Sequence, residues 1–279
     1  LMHSGGNAAG GHRLSRRAGP SPVARRNATI HRFMVSMFRR YFARHMNALR
    51  IAAWGRPDVP RSGPVIVYSN HPSWWDAAVY ILADDLLFPA YESYAPIDAD
   101  MLGRYGVFGR IGAFGVDLHT ARGAADFLKA SADILSSPRR ALWVTAQGRF
   151  ADVRERPLGL KPGIARLVEI APECTIIPLG IEYGFWLERG PEAFLAFGDP
   201  MHGRDLLNLP RPARLRYLDA ALTTVLDRLS DDVKTRDPAR FQSLIEGRAG
   251  VGGVYDGWRR MTSALSGRSF DPSHEGRRS

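Results

Sequence analysis

The chain has 279 residues, 45% hydrophobic and 10% aromatic, with 28 glycines and 19 prolines, a composition that excludes a disordered or collagen-like chain. Its one cysteine, Cys174, excludes an intrachain disulfide and any paired-cysteine metal or redox motif. The net charge of +10 sits at one end, because residues 1–50 hold ten arginines and no acid, while the other 28 bases balance the 28 acids.

Residues 1–28, rich in Gly, Ser, Ala and Arg, read as a flexible basic tail without the apolar core of a secretory leader. Residues 29–56 differ. Ile30, Phe33, Met34, Met37, Phe38, Tyr41, Phe42, His45, Met46, Leu49 and Ala52 recur at three- and four-residue steps, with Arg32, Arg39, Arg40, Arg44 and Arg50 between them. That pattern predicts an amphipathic helix whose apolar face meets either the domain core or an anionic membrane surface. A basic arm also suits nucleic acid, but no recognition module follows it and no nucleic-acid partner is expected. Every apolar run is too short to span a bilayer, so a peripheral position on the cytoplasmic face of a membrane is expected.

Residues 57–248 alternate apolar runs with helical stretches. Strands are predicted at 64–69, 113–118, 141–146, 175–183 and 194–198, and helices at 74–84, 120–137, 162–171, 212–230 and 238–247. The expected fold is α/β, with a mixed, mostly parallel central sheet flanked by helices and preceded by the N-terminal amphipathic helix. Five glycines spaced by three, Gly103 to Gly115, suggest tight turns or close backbone approach. Residues 249–279 read as a second flexible tail.

The chemistry concentrates at Asn70-His71-Pro72-Ser73-Trp74-Trp75-Asp76, directly after the strand PVIVYS. Ligands bind at the carboxyl ends of strands in open α/β sheets. Pro72 biases His71 toward an extended backbone, which keeps it off the following helix. An Asp in that helix's first turn can bend back to the imidazole, fix its tautomer and leave the other ring nitrogen as a general base. Ser73 and Asp76 also satisfy a helix capping box, which would make Asp76 purely structural. Trp74 and Trp75 fit either core packing or contact with a membrane interface, and Cys174, opening an apolar strand, reads as an inert buried thiol. No GxSxG elbow, P-loop, dinucleotide fingerprint or HExxH is present, and the eight histidines are scattered, so no metal site is expected.

NHPSWWD resembles the N-H-x4-D motif of the glycerolipid acyltransferases, the 1-acylglycerol-3-phosphate acyltransferases and relatives. The resemblance extends from about Pro64 to Pro200. Ala95–Thr120 is similar to the family's second block, and WVTAQGRFADVRERPLGLKPGIA (143–165) to the third, with Lys161, Gly163 and Ala165 in its later part. Ile177-Pro178-Leu179 resembles the fourth block. The resemblance implies transfer of a fatty acyl group from an acyl thioester to a lipid hydroxyl, with His71 as general base and Asp76 holding it. It implies acyl-CoA or acyl carrier protein as donor, no cofactor, and substrate contacts from Asn70, Arg122, Gln147, Gly148, Arg149, Lys161 and Pro178. The chain departs from the pattern where Gln147 replaces the third block's glutamate and Phe150 its arginine, with Arg149 one residue earlier. The second block's basic residue aligns near Leu118, with Arg122 the nearest candidate. The expected acceptor is a lysophospholipid or a related glycolipid. The departures argue against simple lysophosphatidic acid and toward a neutral or bulkier lipid hydroxyl, such as a glycolipid or a glycosylated polyisoprenoid, and leave open a catalytically inactive lipid-binding protein of the same fold.

Overall fold

A computed structural model describes residues 21–117, 119–186 and 188–247, so the expected tails at 1–20 and 249–279 lie outside the described residues. Within the expected first tail, Ser21 caps a short helix α1 (Pro22–Arg25), and Asn27 caps α2 (Ala28–His45) by accepting from the amides of Thr29 and Ile30. Residues 21–28 are thus ordered, because two side-chain caps satisfy amides that a helix start leaves unpaired.

Helix α2 stops at His45, eleven residues short of the extent predicted from the sequence. Residues Ala48–Ala52 instead form strand β1. Leu49 and Ile51 are buried inside the sheet, and paired neighbours on both sides outweigh the helical spacing. The remaining elements are β2 (Val65–Ser69), α3 (Asp76–Leu87), β3 (Glu92–Asp98), α4 (Ala99–Arg104), β4 (Ala113–Val116), α5 (Ala121–Leu135), β5 (Arg140–Thr145) and α6 (Gly163–Ile170). They continue with β6 (Thr175–Gly184), β7 (Glu192–Phe197), β8 (Met201–His202), α7 (Gly203–Leu207), α8 (Arg211–Thr235) and β9 (Phe241–Glu246).

The strands form one nine-stranded sheet in the order β4-β3-β5-β2-β6-β7-β1-β9, with β8 beside β6. Pairings β1·β7, β2·β5, β2·β6, β3·β4 and β3·β5 are parallel; β1·β9, β6·β7 and β6·β8 are antiparallel. This is the mixed, mostly parallel sheet flanked by helices that the alternating pattern implied. The predicted helix at 238–247 is in fact β9, preceded by one 3₁₀ turn. Its buried residues, Phe241 and Ile245, are four apart, a spacing that fits one helix face and one strand face equally well.

Helices cover both sheet faces. Ile177, Leu179 and Ile181 of β6 face a core shared with Met34, Phe38 and Phe42 of α2 and Val79 and Leu82 of α3. Ile176 faces the opposite core with Leu167 of α6 and Leu218 and Leu222 of α8. The two-residue alternation of β6 therefore decides which side chains reach α3. Of the glycine run, two members carry close contacts: a Cβ on Gly112 (φ +110°) would sit 2.3 Å from the Ser93 carbonyl, and one on Gly115 3.2 Å from the Ala99 Cα.

Candidate active site

Strands β5, β2 and β6 run side by side and parallel, so their carboxyl ends form one edge. Their ladder ends at Ser69 opposite Leu179, and Asn70 continues it with its side chain. Its Nδ2 donates to the Ile181 carbonyl at 2.8 Å, and its Oδ1 accepts from the Ile181 amide at 3.0 Å. The amide stands in for a strand residue and fixes the exit direction of the chain just before His71. Asn70 is buried and its amide is spent on Ile181, so the structure assigns it the placement of His71 rather than an open, substrate-facing position.

The next three residues are irregular and helix α3 starts at Asp76. The Asp76 carboxylate folds back: Oδ2 lies 2.6 Å from His71 Nδ1 and accepts from the Ser73 amide at 3.2 Å. The capping contact and the imidazole contact therefore share one oxygen, and the two readings of Asp76 are both realised. Ser73 Oγ bonds the Trp75 amide instead of completing the reciprocal box. A carboxylate only accepts, so Nδ1 carries the proton and the Nε2 lone pair is left, without a protein hydrogen bond among the described residues. Asp76 is 1% exposed, whereas the His71 side chain is 22% exposed and reachable from outside.

Gln147, in the turn after β5, closes the other side. Its Oε1 accepts from the His71 amide at 2.9 Å and its Nε2 donates to the Leu158 carbonyl at 2.9 Å. Both ends are occupied and the residue is buried, which makes Gln147 a brace under His71 in this structure. A neutral amide fits because it must accept at one end and donate at the other, which a carboxylate cannot do. Gly148 follows with φ +62°, and its missing Cβ leaves room for the Lys161 side chain, whose Cγ would lie 3.1 Å away. The Lys161 amide also bonds the Ala146 carbonyl, so Lys161 is held beside the Gln147–Gly148 turn.

The Ala151 amide donates to the His71 carbonyl at 3.0 Å, and this lays Phe150 over the imidazole, ring centroids 4.2 Å apart at 29°. Phe150, 58% exposed, is thus the lid on the histidine. The neighbouring arginines turn to carboxylates: Arg149 pairs with Glu155, Arg154 with Asp152 at 2.7 Å and Arg156 with Asp227 at 2.5 Å.

Two predicted substrate contacts are not brought to His71. Arg122 lies in the first turn of α5, after edge strand β4, three strand spacings or about 14 Å from β2. Its side chain is exposed, 3.9 Å from Asp126. Pro178 is buried inside β6, beside Tyr68 of β2. It falls where the β7 ladder has ended and the β8 ladder has not begun, so a residue without an N–H is tolerated in a central strand. Its position is structural. Cys174 is fully buried, and burial pushes its thiol up to about 12, in keeping with an inert side chain.

One contact was not read from the sequence: the Tyr183 hydroxyl on β6 donates to Asp76 Oδ1 at 2.7 Å. The odd-numbered alternation of 177, 179 and 181 carries on to 183, but the sequence does not say which face α3 covers.

No curated protein matches the chain. Residues 50–182 match the family model described as Acyltransferase, and that stretch holds His71, Asp76 and the Gln147–Lys161 turn.

Proposed function

We propose that this protein is an O-acyltransferase that moves a fatty acyl group from acyl-CoA or acyl carrier protein to a lipid hydroxyl at a membrane surface. The observation that carries the reading is the oriented pair: His71 Nδ1 held at 2.6 Å by buried Asp76, with Nε2 left for substrate, inside the Acyltransferase match. The acceptor hydroxyl gives its proton to Nε2 as its oxygen attacks the thioester carbonyl. The C–S bond then breaks, the thiolate takes that proton from the imidazolium, and an ester and a free thiol result. Asp76 stabilises the imidazolium between these transfers. Such general-base help is typically worth about 10²–10⁴-fold. No covalent acyl-enzyme is involved.

A neutral or glycosylated lipid hydroxyl fits the site better than lysophosphatidic acid. Phosphate recognition favours arginines with free donor forks, and Arg149, Arg154 and Arg156 are engaged by carboxylates, while an aromatic ring covers His71. Lys161, which has no carboxylate partner among the described residues, is the cation left to meet an anionic group of the donor or acceptor.

Membrane association rests on α2. Its buried stripe, Met34, Val35, Phe38 and Phe42, packs on the domain, but Phe33, Met37 and Tyr41 form a second, exposed line at four-residue steps. Tyr41 stacks on Trp75, 5.4 Å between centroids, and Trp75 meets Trp74, which is 56% exposed next to His71. Arg32, Arg39, Arg40 and Arg44 are exposed beside that line. Apolar and aromatic side chains flanked by cations suit the interface of an anionic bilayer. Among the described residues no helix is long and apolar enough to cross one.

The test is thiol release from long-chain acyl-CoA in detergent, with lysophosphatidic acid, a neutral glycolipid fraction or no acceptor. Release that depends on the neutral acceptor supports both parts of the reading. Release with lysophosphatidic acid alone overturns the acceptor assignment, and no release from acyl-CoA or acyl carrier protein leaves the inactive lipid-binding reading.

A further inference from the structure

We propose that Tyr183 is a positioning residue for this reaction, the third member of a Tyr183–Asp76–His71 chain. The inference rests on His71 being the general base. A carboxylate bonded through one oxygen can still turn about its terminal torsion and lose the geometry that holds the imidazole. In Asp76, Oδ2 takes the bonds from His71 and the Ser73 amide, and Oδ1 takes one bond, from Tyr183 Oη at 2.7 Å. With Asp76 buried, no water replaces that bond. Removing it both frees the rotation and strands an anionic oxygen, and a hydrogen bond to a charged group is worth more than one between neutral groups.

The tyrosine is itself well held. It lies on a strand paired on one side to β7, with Tyr183 opposite Ala193, and its ring packs on the core beneath α3. Burial and the Asp76 charge push its phenol well above the ordinary tyrosine range, so it stays protonated and remains a donor at any pH at which the reaction is run. The other titratable group close to Asp76 is Tyr80, whose hydroxyl is taken by Ser69 and not by the carboxylate.

The full chain carrying Tyr183→Phe keeps the ring and loses only the hydroxyl. Measured by thiol release, its kcat is expected to fall about 10–100-fold, the scale of one hydrogen bond to a charged group, with KM within twofold. On an Asp76→Asn background the same substitution should add little. Tyr91→Phe, which loses a remote bond to the Pro60 carbonyl, is the folded control with unchanged kcat and KM. Wild-type kcat in Tyr183→Phe, or an equal loss on the Asp76→Asn background, overturns the proposal. If His71→Ala also turns over normally, the general-base reading has failed; if His71→Ala is inactive while Tyr183→Phe is normal, only Tyr183 is misassigned.

Discussion

Asn70→Ala separates a residue that contacts substrate from one that builds the site. The side-chain amide occupies both the N–H and the C=O of Ile181, at 3.0 and 2.8 Å, in a fully buried position. Truncation leaves two buried backbone groups without partners, at about 1–3 kcal/mol each, so the variant should lose about 2–6 kcal/mol. For a domain of this size each kcal/mol lowers Tm by about 2–4 °C. Urea unfolding followed by tryptophan fluorescence reads this as a lower midpoint at constant slope. Asn70→Asp gives a second reading, since it can still accept from the Ile181 amide but sets an oxygen against the Ile181 carbonyl, so it should remain destabilised. An Asn70→Ala variant within about 0.5 kcal/mol of wild type, with activity lost through KM, would refute the reasoning and return Asn70 to the substrate.

Phe33→Ser with Met37→Ser should lower pelleting with anionic liposomes at least tenfold while leaving the unfolding midpoint within experimental error, because both side chains are exposed; unchanged pelleting removes α2 from the membrane contact. Gly148→Ala should cost about 1 kcal/mol from the left-handed backbone at φ +62° and must also displace the Lys161 chain, which a thermal melt would record. Burial raises the Asp84 carboxyl to about 7, opposed by the Ser93 hydroxyl that donates to it. The folded state therefore holds a proton that the unfolded state has released between about pH 4 and 7, and stability from this group falls as pH rises through that window. Asp84→Asn should flatten that slope and gain on the order of 2–4 kcal/mol at pH 8 with little change at pH 4; melts at the two pH values decide it.

The legibility of this molecule in its sequence follows from what neighbours decide. Strands β2, β5, β6 and β7 are continuous apolar runs, so burial on both faces announces them without knowledge of the partners. Strand β1 was hidden inside a helical pattern because Leu49 and Ala52 continue the helix's three-residue steps, and only β7 and β9 on either side reveal its pairing. The His71–Asp76 pair was legible because both residues belong to one short stretch, whose local geometry the Pro72 and helix-start signals constrain. Asn70, Gln147 and Tyr183 were not legible as supports, since their partners Ile181, His71 and Asp76 lie 111, 76 and 107 residues away. Phe150 shows the same limit: it could be named as the residue in an arginine's place, but not as the ring stacked on His71.

The most direct test of the central claim is acceptor-dependent thiol release by purified full chain, wild type beside His71→Ala, both checked for intact fold by circular dichroism. The account predicts that wild type releases thiol and forms ester in equal amounts and that His71→Ala loses at least about 10²-fold in kcat. Equal turnover by a folded His71→Ala variant would contradict it.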